Sequence, residues 1–155
     1  MATKQKKPAI SKVQPTKPRR TELSPQEALI YVMVLTSAVD RDMNDTELQR
    51  IGNIVHNYPA FKGIDSNLLT LIAEDCAEVL NGPGGVAHIL GLIEKALPAK
   101  LRETAYAFAV EVAAVDLKVA IEEMEFLDLL ATCLHLDRLL VTAIERSARA
   151  RHQTV

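Results

Sequence analysis

The chain contains an internal repeat, and this repeat limits the folds that are open to it. Ala38-Val39-Asp40 recurs 76 positions later as Ala114-Val115-Asp116, and Glu47 recurs as Glu123. The apolar positions that follow each glutamate also match: Leu48 with Met124, Ile51 with Leu127 and Ile54 with Leu130. A period of this length with only two copies does not fit a solenoid. We therefore expect two related helical hairpins packed about a pseudo-twofold axis.

Apolar residues recur at helical spacing along most of the chain. No segment shows the sustained alternation of apolar and polar residues that an amphipathic β-strand requires. Aromatic residues make up only 4% of the sequence, which favours close packing of helices. The sequence therefore predicts an all-α fold, a single bundle of about seven helices near 25–39, 45–58, 66–80, 86–97, 99–115, 121–134 and 137–150.

Helix start and stop signals support these boundaries. Ser24-Pro25-Gln26-Glu27 predicts a capping box, with Ser24 as the N-cap, Pro25 at the first helical position and Glu27 two positions later. Asn44 or Asp45 can cap the second helix, which Pro59 ends. The run Asn81-Gly82-Pro83-Gly84-Gly85 predicts an interhelical turn.

Charge is divided between the two ends and the middle of the chain. Residues 1–21 hold seven basic residues and no acidic one, while residues 22–145 carry all 20 acidic residues against eight basic ones. We predict that residues 1–22, which are rich in Lys and Pro, form a disordered basic arm. Residues 23–151 then form the helical domain. An acidic body repels nucleic acid and anionic lipid and attracts cations or a basic partner.

The repeated corners supply the best candidate site. Asp40 and Asp116 are predicted to end helices, where the macrodipole disfavours negative charge, whereas Glu47 and Glu123 lie in first turns, where it is favoured. In one interpretation each Asp caps the following backbone, and each Glu pairs locally or faces water. In the other, the four carboxylates converge on a divalent cation, Ca²⁺, Mg²⁺ or Zn²⁺, or on a basic partner.

The first corner also has oxygen ligands at the spacing of an EF-hand loop. Asp40, Asp42 and Asn44 occupy loop positions one, three and five. Asp45 replaces the required Gly, and Ile51 replaces the bidentate Glu, so we do not expect a true EF-hand. A weak, partly hydrated cation site that includes Asp42 and Asn44 stays open.

The repeated Ala-x-Asp corner, with Glu seven residues later, resembles the TerB-like family, which includes bacterial tellurite-resistance proteins. The family is similar to the N-terminal domain of some membrane-anchored J-domain co-chaperones. The resemblance covers roughly residues 24–150. It implies a small helical, non-enzymatic interaction or scaffold module for tellurite, metal or envelope stress, with Asp40, Glu47, Asp116 and Glu123 as its acidic positions. Arg41 and Leu117 stand where Gly usually follows the Asp.

We expect a protein partner, with a membrane-associated partner or a homodimer as open alternatives, and we do not expect nucleic acid as the main ligand. The sequence shows no secretory signal, and no apolar stretch approaches the roughly 20 residues of a membrane span. We therefore expect a cytoplasmic protein without a transmembrane segment. Cys76 and Cys133 are expected to be free thiols, and Cys133 with His135 is more typical of a buried thiol beside a capping imidazole than of a zinc site.

Two other functions stay open on the sequence. The basic arm could bind nucleic acid or an anionic membrane through counterion release, which would make the protein an adaptor. A hydrolase that uses paired carboxylates as acid and base is a third class.

Overall fold

Seven α-helices account for most of the residues that the structure, a computed structural model, describes: 20–39, 43–114 and 121–155. No β-strand occurs in these ranges, so the predicted all-α bundle is confirmed. Two short 3₁₀ turns, Pro59–Phe61 and Ser66–Leu68, precede the third helix. The helices are α1 (Pro25–Ala38), α2 (Asp45–Asn57), α3 (Leu69–Leu80), α4 (Gly85–Ala96), α5 (Ala99–Ala113), α6 (Ile121–Cys133) and α7 (Arg138–Arg151).

Helix α1 lies at the centre of the bundle. Every residue from Ala28 to Ser37 is buried, because α1 is apolar on nearly all of its faces and has to be surrounded by other helices. Its most extensive contacts are with α5, and it also packs against α3, α4 and α2. The core of the protein is therefore built around a single helix, and the neighbours of α1 expose only their outer faces.

Two capping boxes fix the starts of α1 and α2. The Ser24 hydroxyl accepts the Glu27 N–H at 3.2 Å, and the Glu27 carboxylate accepts the Ser24 N–H at 2.8 Å. Asn44 caps α2 in the same way with Glu47, which decides between the two N-cap residues that the sequence allowed. Each box satisfies backbone N–H groups that have no partner inside the helix.

The predicted turn between α3 and α4 is present. Gly84 has φ +89° and Gly85 has φ +46°, both in the left-handed region that residues with a side chain rarely adopt. The chain can therefore reverse direction within a few residues, so that α3 and α4 pack against each other and both against α1.

The two repeat copies contact each other reciprocally. Helix α1 packs against α2 and α5 against α6, while α1 also contacts α6 and α5 also contacts α2. The two copies therefore pack into one body, and the pseudo-twofold axis between them stays a prediction. Helix α7 packs on α5. No helix in the described ranges has the length and apolar character needed to cross a lipid bilayer.

Candidate functional site

Glu47 has a structural role at the first corner. Its Oε2 atom accepts the Asn44 N–H at 2.9 Å, and the Asn44 side chain accepts the Glu47 N–H at 3.0 Å. The two residues therefore hold each other at the start of α2. The local pairing that one interpretation of the corner assigned to Glu47 is observed, and its other carboxylate oxygen has no part in the capping box.

At the second corner, Glu123 lies half-buried in the first turn of α6, beside Glu122. It takes part in a polar interaction of its own. Asp40, Asp42 and Asp116 lie outside the described residues. Among the residues that the structure does describe, no group of three or more His, Cys, Asp or Glu side chains is arranged to hold a metal ion.

Cys133 and His135 bind different residues of α4. The Cys133 thiol donates to the Leu90 carbonyl at 3.4 Å, and the His135 ring lies 2.8 Å from a Glu94 oxygen. His135 has φ +55°, and bonds from its N–H to the Thr132 carbonyl and from the Leu136 N–H to the Ala131 carbonyl close a Schellman motif after α6. His135 therefore ends the helix at a position where glycine is usual.

A cluster of charged and apolar side chains lies between α1 and α3, and it was not predicted from the sequence. It lines an open cavity of about 340 Å³, which we call the acidic groove. Leu68 and Leu71 are exposed there, Leu71 by 59% of its surface, beside the buried Ile72. The lining residues are Arg20, Glu27, Leu68, Leu71, Ile72, Glu74, Asp75 and Glu78.

Arg20 is held in the acidic groove by two carboxylates. Its guanidinium group donates from one terminal nitrogen to Glu27 and from the other to Asp75. Its Nε atom also donates to the Glu22 carbonyl at 3.1 Å. Less than a third of each of the three side chains in these ion pairs is exposed, so solvent screens the charges only in part. The groove therefore binds a cationic side chain from its own molecule.

Glu27 stays ionised because of its neighbours. Burial by itself would raise the pKa of Glu27, but the Ser24 N–H and the Arg20 guanidinium outweigh it, so this pKa lies below the ordinary value of 4.5. Burial and the hydrogen bond to Asp75 raise the pKa of Tyr31 far above its usual range. The Tyr31 hydroxyl therefore stays protonated and donates to Asp75 at 2.6 Å.

Helix α3 carries acidic side chains and no basic one. These are Glu74, Asp75 and Glu78, and neither Lys nor Arg occurs between residues 63 and 94. The macrodipole disfavours the negative charge of Glu78 in the last turn of the helix. Arg20, which lies outside α3, supplies positive charge to Asp75.

The groove could not be located from sequence alone. The run of acids in α3 is visible, but Arg20 and Asp75 are 55 positions apart, and no periodicity links them. Arg20 and Glu22 belong to the predicted arm of residues 1–22, but both contact the helical body. Arg20 pairs with Glu27 of α1 and Asp75 of α3, and Glu22 lies 3.7 Å from Lys95 of α4.

Comparisons of the chain with protein-family models, with curated proteins and with solved structures find no match.

Proposed function

We propose that the protein is a non-enzymatic interaction module that binds a basic segment of a partner protein in its acidic groove. The observation that carries the proposal is the position of Arg20, a guanidinium held between Glu27 and Asp75 beside exposed leucines. A partner's arginine or lysine would meet the same chemistry further along the groove. The link to tellurite, metal or envelope stress is part of the proposal only through the resemblance to the TerB-like family.

The composition of the groove suits a short peptide. Exposed Leu68 and Leu71 provide apolar area, and Glu74 and Glu78 supply charge at the edge. Binding surfaces commonly combine an apolar centre with a polar rim, and charge complementarity gives specificity and speeds association. A cavity of about 340 Å³ holds a few side chains rather than a broad protein face. We therefore expect modest affinity that falls as salt is raised.

Calorimetric titration with a synthetic peptide of alternating arginine and leucine tests this function. We expect salt-sensitive binding to the full chain, and E74Q/E78Q should weaken it about fivefold, since two exposed charge pairs contribute on the order of 1 kcal/mol together. E122Q/E125Q on α6 is the matched control because it removes the same charge from exposed helix positions. Equal weakening by the two variants, or no binding at all, would contradict the proposal.

A second candidate function is divalent-cation binding at the repeated corners. The reciprocal contacts of the two hairpins support it, because they bring both copies into one body. Glu27 shows that a capping-box glutamate can bind a cationic group with its second oxygen while the first accepts a backbone N–H. Glu47 has the same arrangement within its capping box and could do the same.

The cation proposal is tested by thermal unfolding in the presence of Ca²⁺, Mg²⁺ or Zn²⁺. If one of these ions is a ligand, it should raise the unfolding midpoint, because a ligand that binds only the folded state stabilises it. The substitutions Asp40→Ala with Asp116→Ala should abolish the shift. An unchanged midpoint with all three ions would exclude this function.

A further inference from the structure

We propose that the acidic groove is occupied by the chain's own basic segment, residues 12–19, and that an outside partner has to displace it. The inference rests on the proposed function of the groove and adds its regulation. The starting point is Arg20, which directly follows this segment and is already held by Glu27 and Asp75.

The distances involved are short. The lining positions on α3 and the turn before it run from Leu68 to Glu78, about 15 Å along a helix. An extended chain covers about 3.3 Å per residue, so roughly five residues beyond Arg20 span the groove. Residues 15–19 are therefore enough to cross it, and Lys4, Lys6 and Lys7 lie too far along the chain to be needed.

The segment and the groove are chemically complementary. Residues 12–19 are Lys-Val-Gln-Pro-Thr-Lys-Pro-Arg, with three cations and no acid, and the groove contributes Glu74 and Glu78 beyond the two carboxylates that hold Arg20. Each proline also restricts the residue before it to extended conformations, which lowers the entropy lost when such a segment binds along a groove.

The covalent connection makes this occupancy effective even if the contacts are weak. A tethered segment faces its site at an effective concentration in the millimolar range, whereas a partner must compete from solution. A partner would thus need enough affinity for the groove to displace the arm. Removing positive charge from residues 12–19 would lower the affinity that is needed.

The experiment compares two variants of the full chain that lose the same charge. K17Q/R19Q removes cations within reach of the groove, and K4Q/K6Q removes the same number beyond it. Each is titrated with the arginine–leucine peptide, and the amide NMR signals of α3 are recorded without the peptide. We expect K17Q/R19Q to shift the signals of Leu71, Glu74 and Glu78 and to bind the peptide about fivefold more tightly than the unaltered chain. K4Q/K6Q should change both readouts much less.

The remaining outcomes separate the two proposals. If the peptide binds all three proteins equally and the α3 signals do not move, self-occupancy is overturned and the proposed function stands. If the peptide binds none of them, the proposed function fails, and the α3 signals alone decide whether the arm occupies the groove. If the two variants have equal effects, the arm is attracted to the acidic body without binding at a defined position, and the proposal is overturned. If the α3 signals shift with protein concentration, the groove binds the arm of a second copy of the chain. Occupancy within one molecule would then be overturned.

Discussion

The Tyr31 hydroxyl donates to Asp75 Oδ2 at 2.6 Å, and the same carboxylate oxygen accepts from Arg20. Asp75 thereby joins the buried centre of α1 to the surface of the acidic groove. The Asp75 carboxylate accepts hydrogen bonds from both the Tyr31 hydroxyl and the Arg20 guanidinium. The geometry of the groove and the packing of α1 against α3 therefore depend on the same side chain.

Removing the Asp75 carboxylate should lower the free energy of unfolding more than removing the Tyr31 hydroxyl. Tyr31→Phe deletes one hydrogen bond, and we expect the free energy of unfolding to fall by about 1 kcal/mol. Asp75→Ala leaves both the Tyr31 hydroxyl and Arg20 without this acceptor, for which we expect about 2–3 kcal/mol. Urea denaturation measures both. Because the two residues share a contact, the double substitution should cost less than the sum of the single ones; strict additivity would mean that the contact contributes nothing.

The capping boxes predict a second set of effects. Ser24→Ala and Asn44→Ala should each lower the free energy of unfolding by about 1 kcal/mol, because a backbone N–H in the first turn loses its acceptor. Glu47→Gln keeps an oxygen acceptor for the Asn44 N–H and should cost much less than Glu47→Ala. If Glu47→Ala proves as mild as Glu47→Gln in the same urea series, the carboxylate has no part in stabilising α2.

Local features of the fold were predictable because they depend on neighbours in the sequence. Ser24 and Glu27 form the predicted capping box, and the glycines at 84 and 85 make the predicted turn. His135 was harder, since nothing in its sequence context marks it as a residue with positive φ; its role depends on the end of α6 and on Glu94 of α4.

The acidic groove was not predictable for a related reason. Its central contacts join Arg20 to Asp75 and Tyr31 to Asp75, over separations of 55 and 44 positions. The sequence favours repeated carboxylates such as Glu47 as site residues, because the repeat is visible as a pattern along the chain. Tertiary packing instead assembles the groove from an unrepeated arginine and one face of α3.

The carboxylates in ion pairs give stability a defined pH dependence. The Ser24 N–H and Arg20 outweigh burial at Glu27, and Arg151 with His152 outweighs burial at Glu111, so both pKa values lie below the ordinary 4.5. A lowered pKa in the folded state stabilises the fold above pH 4.5. This stabilisation is lost as the pH falls below that value through the folded pKa.

Urea midpoints measured from neutral pH downward should therefore fall below about pH 4.5. E27Q/E111Q should be less stable at neutral pH and should show a shallower decline in acid, because the substituted amides do not titrate. A variant whose decline matches that of the unaltered chain would show that these two carboxylates do not cause the acid sensitivity.

The two thiols should differ in reactivity. Burial, together with the nearby Asp75 charge, raises the pKa of Cys76 to about 12, and its side chain is fully buried. Cys133 is partly exposed, although burial raises its pKa as well. Near neutral pH, a thiol reagent should modify Cys133 first and Cys76 only at the rate of unfolding, because the reactive species is the thiolate. In Cys133→Ala, fast labelling of the remaining Cys76 would contradict its burial in the core.

The most direct test of the acidic groove as a binding site is to locate a bound basic peptide. An arginine–leucine peptide with a paramagnetic spin label at one end would be added to the isotope-labelled full chain, and the broadening of amide signals would be recorded. We predict that the strongest broadening falls on Leu68, Leu71, Glu74 and Glu78, and that raised salt removes it. Broadening centred on the starts of α2 and α6, or spread evenly over the protein, would contradict the account.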